Sequence, residues 1–226
     1  MIRENYRLIE AHMIEKMQGS DYAHDSGHVY RVLSNALMLA KIYEPDLEIL
    51  LHAVLLHDIG RMAEFHHPEV DHALAGADMA YEFLLSIDYE KEQAGIIKKC
   101  IASHRFSIGE KPETLEEQIL YDADKLDLTG SMAIARSILA GVAYDEPLYV
   151  YKGDGSVSDG LVEDEISFMS FYSKRLKVVS EKLFTEEAKK IAEGRLALIN
   201  SFYDAMYKEV LLPQSYTLGK LNEILK

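Results

Sequence analysis

Between Gly27 and Leu55 the apolar residues return every three or four positions. Val29, Val32, Leu33, Ala36, Leu37 and Ala40 make one stripe; Leu47, Leu50, Leu51, Val54 and Leu55 make the next. That spacing gathers each set on one face of an α-helix, whereas a strand would need alternation at every second residue. Pro45, between the two, suits a first helical turn. The same periodicity predicts helices over about Val70–Ser86, Glu90–Ser103, Leu115–Leu128 and Gly130–Leu139, then two long ones over Leu161–Leu183 and Thr185–Val210. "MAEFHHPEV" reads as a loop, Gly141–Gly160 as an irregular excursion rich in Gly, Pro, Asp and Ser, and the tail from Pro213 has no clear pattern. No alternating run of useful length, repeat or low-complexity tract is present. The expectation is an all-α fold in one domain over 1–226. Its site-bearing core covers about 22–140 and its helices over 161–226 complete the bundle; an edge near Asp154 is the alternative.

Charge narrows the partners. Acidic residues outnumber basic ones by 38 to 24, a formal charge of -14. Duplex nucleic acid and anionic membranes repel such a surface, so neither is expected as a main partner. A small phosphorylated ligand remains compatible, because a metal and a few cations can reverse the field inside one pocket. The lone cysteine, Cys100, allows no intrachain disulfide, the charged N-terminal segment has no apolar signal core, and no run nears the roughly 18 apolar residues of a membrane span. A cytoplasmic protein is expected.

Two costly residues end the second stripe. In "AVLLHDIGRM", His57 and Asp58 follow Val54, Leu55 and Leu56. A buried carboxylate costs several kcal/mol unless a cation or strong hydrogen bonds compensate it. A divalent ion is one such compensator, and imidazole with carboxylate suits zinc, manganese or iron. Adjacent helical residues do not face each other, so both side chains reach one ion only at a helix end, and Gly60 is read as the stop that supplies the turn. His28 opens the first stripe, and Asp124 in "ILYDADKLD" sits among Ile119, Leu120, Ala123 and Leu126. His72 and His104 lie on or beside helices, where a surface or hydrogen-bonded role is the plain alternative.

The order His28, His57-Asp58, Asp124 in a helical chain resembles the HD superfamily of metal-dependent phosphohydrolases. The likeness runs from about Tyr22 to Leu139, through "HDSGHVYRV", "LLHDIG" and "DADKLDLTGSMAIAR", and the last segment is similar to that of small bacterial HD hydrolases. The resemblance implies an HD-domain helical bundle with His28, His57, Asp58 and Asp124 on one divalent metal. Binuclear members have two further histidines in the interval where His72 and His104 fall. Asp58 would then bridge two ions, Fe, Mn, Zn or Mg; in a mononuclear relative those two histidines would only touch substrate.

A phosphohydrolase of this kind would cleave a phosphate ester or anhydride of a small nucleotide with a metal-activated water. Asp58 is the candidate to orient that water, and Arg61 and Lys125 to neutralise phosphate, with Arg31 and Arg105 as weaker candidates. Asp25 is either a partner of His28 or a helix cap, and Asp127 either positions water or is solvated. His12, His52, His66 and His67 are read as structural, although the last two could line an entrance. Tyr144, Tyr149 and Tyr151 either stack a base or pack. The resemblance leaves open a diiron oxygenase and a non-catalytic nucleotide sensor. A homodimer is compatible with the surface.

Overall fold

The computed structural model describes residues 2–19, 23–105 and 111–225, the side chains of 2–4 and 212–215 excepted. Tyr22, where the sequence likeness begins, lies outside them. The helices are α1 (Ile2–Lys16), α2 (Ser26–Tyr43), α3 (Leu47–Leu56), α4 (Arg61–His66), α5 (His72–Ser86), α6 (Lys91–Ser103), α7 (Leu115–Leu126), α8 (Gly130–Ala143), α9 (Phe168–Lys174) and α10 (Glu186–Ile224), with a 3-10 segment at Leu176–Lys182. Among the described residues the only extended pairing is an isolated bridge, Tyr151 with Val157. The fold is all-α, as the periodicity requires. No single described helix is long and apolar enough to cross a membrane.

The chain packs as two compact units, Met1–Asp127 with Leu183–Lys190, and Leu128–Lys182 with Ile191–Lys226. In the first, α3 is the central helix. It packs against α1, α2, α5, α6 and α7, and buries Ile49, Leu50, Ala53, Val54, Leu55 and Leu56 almost all round its axis. Only a helix enclosed on every side can carry such an uninterrupted apolar run. Its C-terminal end, and therefore His57 and Asp58, stops in the middle of the unit. The α2 stripe is shifted from the expected one: Leu39 is buried and Leu37 is 40% exposed.

Helix starts are fixed by side-chain caps. Asp25, Asp46, Asp71, Glu90 and Thr114 each accept from backbone N–H groups in the first turn of α2, α3, α5, α6 and α7, worth about 1 kcal/mol apiece. Asp46 therefore sets the start of α3, and Pro45 lies just outside the helix. Buried Asp122 does the same work at longer range, accepting from the backbone N–H of Phe184 and of Thr185 and from the Thr185 hydroxyl just ahead of α10.

The second unit departs most from the periodicity. The expected helix over Leu161–Leu183 is instead an irregular segment, the short α9 and the 3-10 segment. Lys174 Nζ draws in the carbonyls of Val162 and Glu163, and Ser167 donates to Glu165 while capping α9. These bonds occupy groups that a helix would need. Gly160 is obligatory here, with φ +78 and the Met169 carbonyl 2.3 Å from where a Cβ would sit. α8 runs four residues past Leu139, to Ala143, and α10 continues beyond Pro213 to Ile224. Ala133, Phe168, Tyr172, Leu176 and Ile199 form this unit's core.

One buried histidine away from the site makes stability depend on pH. His52 Nδ1 pairs with the Tyr89 hydroxyl at 2.8 Å, and burial pushes its pKa down to about 4. The unfolded chain binds that proton more readily, so stability falls as pH drops from about 6.5 toward 4, by up to about 3 kcal/mol. Urea midpoints measured across this window should flatten in His52→Gln relative to the parent. Parallel curves for the two proteins would refute the assignment.

Candidate metal centre

Four histidines and two aspartates meet because helix ends meet. His28 lies in the first turn of α2, His57 caps the end of α3 with Asp58 next, His72 opens α5, His104 caps the end of α6, and Asp124 lies in the last turn of α7. The pairings α2 with α7 and α5 with α6, both flanking α3, bring these ends to one place. All six residues are buried, none more than 7% exposed. Every residue the sequence singles out as a metal ligand is in this cluster.

The orientation of the imidazoles is the informative feature. Each Nδ1 faces a group that only accepts: His28 faces Asp127 at 2.8 Å, His57 the Val54 carbonyl at 2.7 Å, His72 faces Glu64 at 2.7 Å, and His104 the Ile101 carbonyl at 2.6 Å. Each Nδ1 must therefore carry the proton, which leaves a bare lone pair on each Nε2. Burial favours this neutral state, holding His57 near 4 and His72 below the ordinary histidine range.

All four lone pairs point at Asp58. Its Oδ2 is 3.4 Å from His28 Nε2 and 3.6 Å from His57 Nε2; its Oδ1 is 3.5 Å from Nε2 of both His72 and His104. Asp124 Oδ1 is 3.4 Å from His28 Nε2. These separations exceed hydrogen bonds, and Asp58 Oδ2 and the Nε2 atoms of His72 and His104 are buried with no hydrogen-bond partner. Burial raises the pKa of the Asp58 carboxyl, but the guanidinium of Arg61 and the surrounding imidazoles together outweigh it and hold the group ionised. Lone pairs and an anion turned on one another without a proton to share are reconciled by a cation. Ligand atoms about 2.1 Å from an ion stand about 3.0–3.4 Å apart, close to the spacings here. His28, His57 and Asp58 could hold one ion, and Asp58, His72 and His104 another. The donor set fits zinc, manganese or iron better than magnesium, which prefers oxygen.

The cations come already paired. Arg61 Nε bonds Asp58 Oδ1 at 3.1 Å and its Nη1 meets Glu64 at 3.3 Å, while Lys125 Nζ bonds Asp124 at 2.6 Å. Arg105 bonds Glu64, and Asp71 at 3.3 Å. Arg31 directs Nε and Nη2 onto Asp127, so it steadies the partner of His28.

Several alternatives resolve. Asp25 is the α2 cap, its carboxylate taking the His28 backbone N–H at 2.9 Å. Asp127 is neither solvated nor free to position water: it is buried and orients the His28 ring. The "MAEFHHPEV" segment is not wholly loop, because α4 occupies its first half and presents Glu64. Gly60 does not stop α3 with a left-handed turn, since its φ is -83. It is needed because a Cβ there would lie 2.2 Å from the His72 carbonyl oxygen and 2.6 Å from Gly76 N. His12 stacks on Phe83, and His66 and His67 are exposed. Tyr149 meets Tyr151 edge to face in the second unit. Glu64 is the residue the sequence did not suggest. Its only signal is a carboxylate three residues after Arg61, visible once 61–66 is helical.

A family model for the HD domain matches residues 26–129. The Bacillus subtilis protein YpgQ is 26% identical over 191 residues, 83% of this chain and 84% of YpgQ. Among solved structures, a predicted HD superfamily hydrolase from an uncultured Thermotogales bacterium is 30% identical, covering 92% of this chain and 91% of its own with a TM-score of 0.59. YpgQ in complex with ADP shares the fold at a TM-score of 0.70 and 22% identity, covering 92% and 96%. A Lactobacillus plantarum protein does so at 0.74 and 24%, covering 91% and 96%.

Proposed function

This chain belongs to the HD superfamily, and on that footing we propose that it is a metal-dependent phosphohydrolase acting on a small nucleotide. The observation that carries the reading is the convergence of four Nε2 lone pairs on both oxygens of Asp58. A divalent metal held there supplies an activated water and relief of charge on phosphoryl oxygens. His28, His57, Asp58 and Asp124 would hold one ion, and His72 and His104 with Asp58 a second. Asp58 faces each cluster with a different oxygen, which supports a bridging role. The ADP held by YpgQ supports a nucleotide as the substrate class.

The chain's own residues supply the rest. Arg61 and Lys125, each half-buried beside a ligand carboxylate, are placed to meet a phosphate whose charge competes with Asp58 and Asp124 for them. The Nδ1 acceptors keep the histidines neutral and aimed.

Metal counting and turnover test this together. Protein purified anaerobically without chelator should carry near two ions per chain. It should release phosphate or pyrophosphate from a panel of nucleoside mono-, di- and triphosphates, and lose that activity on chelation. Nucleotide binding without turnover would replace the reading with a sensor, and iron with oxygen consumption would replace it with an oxygenase.

A further inference from the structure

Glu64 and Arg105 make opposite demands on one nitrogen. The Glu64 carboxylate is 2.7 Å from His72 Nδ1, a distance two acceptors cannot share without a proton, so it requires Nδ1–H. Arg105 Nη1 stands 3.0 Å from the same Nδ1, and a guanidinium only donates. Were Arg105 to prevail, Nδ1 would accept, the proton would move to Nε2, and His72 would turn an N–H toward Asp58 in place of a lone pair. Glu64 prevents this twice over, by accepting from Nδ1–H and by engaging Arg105 itself. It also meets Arg61, which bonds Asp58 Oδ1.

We infer that Glu64 is a positioning residue that fixes His72 as the Nδ1–H tautomer against the pull of Arg105, and so keeps its Nε2 able to bind metal. The inference rests on the proposed metal reading for its consequence, but the tautomer belongs to the metal-free protein. The Nδ1 atoms of His57 and His104 face backbone carbonyls of their own helices, and that of His28 faces Asp127. The aim of His72, which serves the second cluster, is therefore conditional on the pairing of Glu64 with Arg105.

The test is nitrogen-15 NMR of histidine-labelled, chelator-treated protein at pH 8, with His72 assigned by its loss in His72→Gln. The parent should show His72 as Nδ1–H. Glu64→Ala should move it to Nε2–H, and Glu64→Ala with Arg105→Ala should move it back toward a mixture. Glu64→Gln, whose amide oxygen can still accept, should lie between. Manganese titration should show one of the two ions losing about 10- to 100-fold in affinity in Glu64→Ala while the other is unchanged. An unchanged His72 tautomer in Glu64→Ala overturns the inference, as does equal weakening of both ions. A parent that holds no metal yet switches tautomer in Glu64→Ala would sink the metal reading and leave the positioning role standing.

Discussion

Replacing Asp58 with alanine is expected to remove metal and turnover together. Both oxygens of this one carboxylate face imidazole lone pairs, Oδ2 toward His28 and His57 and Oδ1 toward His72 and His104. Without it neither cluster keeps an anionic ligand in common, and the first retains only Asp124. Activity should fall at least about a thousandfold, about 4 kcal/mol of barrier. The measurement pairs metal content with thermal melting, with and without chelator. An ion that binds only the folded state stabilises it by about 2.7 kcal/mol at a hundredfold excess over its Kd. Chelation should therefore lower the melting temperature of the parent and leave Asp58→Ala unmoved. Helical circular dichroism should match that of the parent, because Asp58 lies beyond the end of α3. An alanine variant that still carries two ions and turns over nucleotide would exclude Asp58 from the site.

Gly60→Ala should be nearly as damaging, for a reason that has nothing to do with chemistry at position 60. The backbone there is unstrained for alanine, at φ -83. The added methyl would lie 2.2 Å from the His72 carbonyl oxygen, 2.6 Å from Gly76 N and 3.0 Å from Gly76 Cα. All three are backbone atoms, so no side chain can swing aside; the start of α5 must move, and His72 with it. Overpacking of this kind costs about 3 kcal/mol, roughly 10 °C in melting temperature for a chain of this size. The ion that needs His72 should be lost while the one on His28 and His57 survives, so metal content should fall from near two to near one. A variant melting within about 2 °C of the parent and holding both ions would show that the contact between α5 and Gly60 gives way easily. His104→Ala, which removes a ligand without moving backbone, separates loss of a ligand from displacement of a helix.

Where side-chain spacing encodes structure, the sequence was legible. The stripes of α2 and α3 predict those helices nearly to the residue, and the polar pair after Leu56 predicts that something at that helix end compensates a buried charge. Legibility failed where bonds across the chain override local preference. Residues 161–183 have helical periodicity, yet Lys174, Ser167 and Gly160 commit the backbone elsewhere. That Arg31 pairs with Asp127, 96 residues away, is likewise invisible in the sequence.

The sequence by itself determined an all-α chain of the HD superfamily with six candidate ligands, because helical period and residue order are one-dimensional properties. Only the tertiary structure decided what makes those ligands usable: the carboxylates of Asp127 and Glu64 behind His28 and His72, the contest between Glu64 and Arg105 over His72, and the close approach that requires Gly60. Each is a through-space distance of about 2–4 Å between atoms on different elements. Periodicity tells which face a residue occupies; it does not say what stands opposite, since that depends on how α2, α5, α6 and α7 pack about α3 and α4 against α5.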